Sequence, residues 1–219
     1  MTQPQELGIA DTLDQELDRQ LATLLAKGYP ALAGMAETAF VELVEELRPL
    51  LAKVETTAAA TVPFLVVVRS SLVPTVAAVE RFDVRGKAGW TDMADEIDSY
   101  RPIDGVDVPD AAVYLLGDVS TGPETLNVRP QDALPMIRQA GRTPLTVDEG
   151  VALVNQAPEV LKVRNAFQAV GSRTGNKRIP SFWISKGAPR LGWCWDGNPH
   201  TWLGSASALG RYEAGSAGV

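Results

Sequence analysis

Cys194, Asp196, Asn198 and His200 lie close together in the segment Leu191–Leu203, which reads LGWCWDGNPHTWL and holds the chain's one cysteine and one histidine. A thiol, an imidazole and an orienting carboxylate or amide are the parts of a cysteine nucleophile. That chemistry needs thiol–imidazole contact and a lowered thiol pKa. The spacing fits it poorly. Cys194 stands between Trp193 and Trp195 on a segment that reads as a strand, so its side chain projects away from theirs. A cysteine in such a place is ordinarily a small buried hydrophobe, and a histidine after a proline turn is ordinarily a hydrogen-bonding brace. The structural reading of this pair is preferred to the catalytic one.

Tryptophan is the second feature. Trp183, Trp193, Trp195 and Trp202 are four of the chain's five. Trp193 and Trp195 share a face if the segment is extended. A hairpin partner over Ile179–Ser185 would set either Phe182 or Trp183 opposite Trp193, depending on register. Such a cluster is either a platform for a planar, cationic or sugar-like ligand, or a protein anchor, or a wedge of core, since one tryptophan buries roughly 200 Å². These readings stay open at the level of sequence. Just upstream, Gly171–Arg178 (GSRTGNKR) gathers Arg173, Lys177 and Arg178 with two hydroxyls and two glycines. A loop of this kind can hold a phosphate or carboxylate through amides and guanidinium groups. It lacks the spacing of a nucleotide-binding glycine loop, and a solvated loop is the plainer reading. Together the two segments define a candidate ligand site of Arg173, Lys177, Arg178, Trp193, Trp195, Asp196, Asn198, His200 and Trp202, with no catalytic residue and no metal ligand assigned. The acids Asp92, Asp95, Glu96, Asp98, Asp104, Asp107 and Asp110 do not follow the calcium-loop pattern. They read as a solvated stretch, a long loop or two short strands, that offers a surface to a basic partner.

These residues need elements to hold them. Leu13, Leu17, Leu21, Leu24 and Leu25 mark a helix over 12–27, with Asp11 or Thr12 at its start and Gly28 at its end. Phe40, Val41, Val44, Leu47 and Leu51 mark a second over 37–52, which Pro49 bends or shortens. The two form a helical hairpin. Val62–Val68 and Val113–Leu116 read as buried strands. Pro74 precedes a short helix within 72–81, and Pro130 opens one that Gly141 closes. Thr146 and Glu149 form a capping box at the head of another. Ile179–Ser185 and Leu191–Trp195 read as strands joined around Lys186-Gly187-Ala188-Pro189. Helices come before the first strand and alternate irregularly afterwards. The fold class is therefore α+β: an N-terminal helical hairpin packed on a mixed β-sheet, with a C-terminal Trp-rich β-hairpin. We expect a single domain over 1–211 and a frayed tail over 212–219.

Composition bounds the function. The chain of 219 residues is 45% hydrophobic and carries a net charge of −7. An acidic surface disfavours nucleic acid. A lone cysteine points to a reducing compartment, no apolar run is long enough for a membrane, and the N-terminus lacks the marks of a secretory signal. One Cys and one His exclude a Cys/His zinc site within one subunit. A cytoplasmic protein is expected. Four further segments carry a resemblance: Gly28–Leu32, Tyr100–Ile103, Gly141–Thr146 and Leu191–Gly204. With these the chain resembles an actinobacterial family, domain of unknown function 5701, over nearly its whole length. The resemblance implies a bacterial cytosolic setting and brings no activity, cofactor or site residue. The expectation is a protein that binds a small anionic or aromatic ligand through the Trp-rich hairpin and the basic loop. The alternatives are a protein–protein interaction or self-assembly module, homo-oligomers included, and an enzyme of unidentified class. The sequence names no cofactor.

Overall fold

Helix α1 (Ile9–Ala26) buries the face carrying Leu13, Leu17, Leu21 and Leu24. It begins ahead of the expected caps at Asp11 and Thr12 and ends before Gly28, which takes a left-handed backbone. Pro30 sits in the first turn of the short α2 (Tyr29–Leu32). The stripe of the second predicted helix divides at Pro49: α3 covers Glu37–Glu45, and Arg48–Lys53 continues as a tighter 3₁₀ turn. A proline nitrogen has no hydrogen to donate, so a helix tends to restart with it. The computed structural model describes residues 9–58 and 60–215.

The rest follows in chain order. Strand β1 (Val62–Val68) leads to helix α4 (Thr75–Val79) and a small hairpin of β2 (Asp83–Val84) and β3 (Lys87–Ala88). Strand β4 (Trp90–Thr91) comes just before the acidic stretch, and β5 (Arg101–Pro102) interrupts it. Strand β6 (Val113–Val119) precedes α5 (Pro130–Gln139), β7 (Thr143–Pro144) and α6 (Val147–Gln156). The C-terminal third is β8 (Ala166–Gln168), β9 (Ser172–Arg173), β10 (Arg178–Ser185), β11 (Ala188–Trp195), β12 (Leu203–Ser205), β13 (Ser207–Ala208) and β14 (Gly210–Tyr212). The basic segment expected to be a loop thus contributes β9 and the first residue of β10. Tyr212, placed by expectation in the frayed tail, pairs with Leu115; residues beyond 215 lie outside the described residues.

Two main sheets result, as an α+β chain requires. One is antiparallel in the order β1-β6-β14. The other is mixed, in the order β12-β8-β10-β11-β4, with β10 antiparallel to both neighbours and the flanking strands parallel to theirs. Helix α6 is the hub. Nine of its ten residues are buried, Asp148 being the exception. A helix covered all round belongs to the core rather than to a surface. Gly150 is where it meets the mixed sheet, for a Cβ there would collide with the ring of Phe182 on β10. That ring stacks on Phe167 with centroids 4.8 Å apart. On the other side the Gln156 amide donates to the Val66 carbonyl of β1.

Burying a helix on every side obliges each of its polar side chains to find a partner. Glu149 accepts from Thr146 N–H at 2.7 Å, which realises the predicted capping box, and from the Tyr114 hydroxyl at 2.8 Å. It also meets Arg211 of β14 through two bonds of 2.6 and 2.9 Å. Asn155 donates to the Tyr29 hydroxyl and the Ala78 carbonyl. Helix α1 covers β1, an edge strand, and its buried Gln20 bridges two of that strand's peptide groups. The amide donates to Phe64 C=O and accepts from Val66 N–H, both at 2.8 Å.

Candidate functional site

The C-terminal hairpin turns on two residues, Lys186 and Gly187, both at positive φ (53° and 78°). That is the two-residue turn whose twist matches paired strands. The expected connection of four residues is therefore half as long, and Ala188 and Pro189 belong to β11. The register differs from both expected ones: Trp193 lies opposite Pro180, Phe182 opposite Leu191 and Trp183 opposite Arg190. Register decides faces, so this hairpin places its tryptophans on two opposite sides.

One side carries Arg178, Trp193 and Trp195. The two rings meet edge to face at 5.5 Å, and the Arg178 guanidinium covers Trp193 at 4.2 Å. Arg178 also holds both oxygens of Glu96, at 3.0 and 3.1 Å. Arg173 reaches Asp196 at 3.2 Å and donates to the Val170 and Ser172 carbonyls. Lys177 is exposed and Asn198 sits in an exposed turn; the Lys177 carbonyl accepts from Asp196 N–H, and Asn198 N–H donates to Trp195 C=O. Five predicted site residues, Arg173, Arg178, Trp193, Trp195 and Asp196, are thus brought together, with the guanidinium groups engaged by carboxylates of the chain itself. The acidic segment supplies Glu96 here and Asp92 to Arg190, so two of its charges pair with arginines of the hairpin. Opposite charge in the two segments was the signal for this pairing.

The other side carries Trp183, Cys194 and Arg190. Arg190 lies between Trp90 and Trp183, 4.6 Å from each ring centroid. Trp183 meets Trp202 edge-on at 6.5 Å, and Trp202 meets His200 at 5.6 Å. Burial pushes the Cys194 thiol up, against a hydrogen bond to Ser181 and the charge of Arg190, which is the wrong direction for a nucleophile. Burial lowers His200, and its Nε2 has no hydrogen-bond partner among the described residues. Among the described residues no three His, Cys, Asp or Glu side chains are grouped to hold a metal ion.

Trp183 and Trp202 also line a cavity of about 520 Å³ with Lys162, Val163, Arg164, Ile184 and Thr201. Lys162 and Asn165 exchange backbone hydrogen bonds of 2.9 and 3.0 Å, making Val163 and Arg164 the tip of a tight turn at its rim. Val163 is 77% exposed there. Lys162 and Arg164 carry no carboxylate partner among the described residues. They stand about twenty positions from Trp183 in sequence and had no motif to announce them.

A second concavity, of about 420 Å³, opens where α6 begins. Its walls come from the segment after β1 (Arg69, Ser70, Ser71), from Tyr100 and Arg101 at β5, from Ser172 of β9 and from Asp148. Ser70 gives Asp148 Oδ2 two bonds of 3.0 Å, from its N–H and from its hydroxyl. Burial raises this carboxyl above the usual carboxylate range, against those two bonds and the charge of Arg69. Nothing local in the sequence singles out Asp148.

The model of a family of unknown function, DUF5701, matches residues 23–214. No curated protein and no solved structure matches. No helix among the described residues is long and apolar enough to cross a membrane.

Proposed function

We propose that this chain, which belongs to the DUF5701 family, is a cytoplasmic protein that binds a small planar anion in the cavity beside its C-terminal hairpin. One observation carries the reading: two tryptophans, Trp183 and Trp202, and two cations without carboxylate partners among the described residues, Lys162 and Arg164, line the same solvent-connected cavity. An aromatic ring stacks on one indole and meets the other edge-on, and its carboxylate or phosphate meets the cations. Burying a flat apolar face beside a paired charge is what small-ligand sites commonly do. Arg173 and Arg178 take part in this reading only as structural braces, because each holds a carboxylate of the chain. His200 packs on the edge of Trp202 and positions it.

The test is thermal shift and tryptophan fluorescence with salicylate, indole-3-acetate and pyridoxal phosphate, against benzyl alcohol as a neutral control. A native-state ligand at a hundredfold excess over its Kd stabilises by about 2.7 kcal/mol. At least one anion should raise the melting temperature. Trp202→Ala, and separately Lys162→Ala with Arg164→Ala, should abolish the effect, whereas Arg178→Ala should spare it. Failure of all three anions, or retention of binding by Trp202→Ala, overturns the reading. A protein partner is the second reading, favoured by Trp195 at 46% exposure on the other face of the hairpin; co-sedimentation loss on Trp195→Ser would support it.

A further inference from the structure

The concavity at the start of α6 combines opposite charges in one small space. Asp148 uses Oδ2 for Ser70, and among the described residues no hydrogen bond reaches Oδ1. Arg69 and Arg101 stand on other walls of the same cleft. Arg69 anchors Nη1 on the Pro109 carbonyl and lies 4.0 Å from the fully exposed Asp110. Arg101 spends Nη1 on the carbonyls of Asp98 and Tyr100 and has no carboxylate partner among the described residues. Each arginine is thus held by one nitrogen and keeps the rest of its fork for another acceptor. Tyr100, only 4% exposed, also lines the cleft. Ser71, Thr75 and Ser172 add hydroxyl groups.

We infer that this cleft binds a small zwitterion of the α-amino-acid class. Its ammonium group meets Asp148 Oδ1, and its carboxylate meets the free nitrogens of Arg69 and Arg101. An anion alone would be repelled by Asp148, and a cation alone by the two arginines. A ligand carrying both charges satisfies all three. The apolar walls, Pro74, Ile97 and Val108, leave room for a short aliphatic side chain. This site lies apart from the tryptophan cavity and shares no lining residue with it, so either proposal can fail while the other stands.

The experiment is isothermal titration of the full chain with each standard amino acid, with two matched controls for any that binds: the carboxylate lacking the amine and the amine lacking the carboxylate. One or more small amino acids should bind, and both controls should bind at least about tenfold more weakly, the loss of one charge-assisted pair. Arg101→Gln, at an exposed position bonded only to backbone carbonyls, should weaken binding by a similar factor while leaving the melting temperature of the free protein unchanged. Asp148→Asn should do the same to affinity. Absence of binding by every amino acid, a deaminated carboxylate that binds equally well, or unaltered affinity in Arg101→Gln would each overturn the assignment.

Discussion

At the scale of single residues, two ionisable groups make opposite predictions about pH. His200 is the chain's one histidine, and burial lowers its pKa in the folded state. A group so depressed stabilises the fold above its unfolded value, about 6.5, and that contribution disappears as pH falls through the folded value. Melting temperatures taken between pH 7.5 and 5 should therefore decline, and His200→Gln should flatten the decline. Asp148 runs the other way. Its carboxyl is raised by burial, so its ionised form costs stability at neutral pH, and the cost vanishes as pH drops through the raised value. Asp148→Asn keeps an acceptor for Ser70 and should melt above the wild type at pH 7, with the gap closing towards pH 4; a constant gap would contradict this. The site was partly legible at this scale. Arg178 and Trp193 follow from their neighbourhood in sequence, and the demotion of Cys194 and His200 follows from strand alternation. Lys162, Arg164, Trp90 and Asp148 were not legible, because only tertiary packing brings them to the rings or the cleft, and nothing local marks them.

Among elements, the hairpin and α6 depend on different forces. The hairpin depends on its turn. Gly187 occupies the left-handed region with open space around it, so Gly187→Ala should cost about 1–2 kcal/mol through backbone conformation alone; chemical denaturation would read it. Helix α6 depends on its buried ion pair, since Glu149 is fully buried and the Arg211 side chain is 6% exposed. Removing one partner strands the other's charge, so Arg211→Met should cost about 3–5 kcal/mol, far more than the surface pair Arg129–Asp132 is worth. Glu149→Gln with Arg211→Met should recover part of that loss. The elements themselves were readable: both long strands, the capping box, the proline-led α5 and the break at Pro49 all have local causes. Register was not. Phe182 and Trp183 are both large and aromatic, and hydrophobic pattern alone cannot choose between them, whereas the glycine turn and the fit of Phe182 against Gly150 can.

On the scale of the whole molecule, α6 belongs to both sheets at once. Leu153 and Val154 are fully buried, Phe182 packs against Gly150 from one sheet, and Val66 is bonded to Gln156 from the other. Neither sheet can lose its packing without releasing the helix that the other uses. Leu153→Ala, costing about 2–5 kcal/mol, should accordingly shift tryptophan fluorescence, which reports the mixed sheet, and far-ultraviolet circular dichroism by the same amount. Separate transitions would show that the sheets unfold independently. That sharing was invisible in the sequence, where α6 looks like any other capped amphipathic helix.

The amide of Gln20 has a consequence for shelf life. Within β1, Phe64–Val68 is an uncharged, apolar, proline-free run at a sheet edge, the kind of strand that recruits a second copy of itself. Gln20 occupies the peptide groups through which recruitment would begin. Lifting α1 alone, with the rest of the protein still folded, therefore uncovers a nucleus for fibril growth. The rate of aggregation in storage should track that local opening rather than global unfolding, and Gln20→Leu should quicken it more than its effect on the melting temperature would suggest.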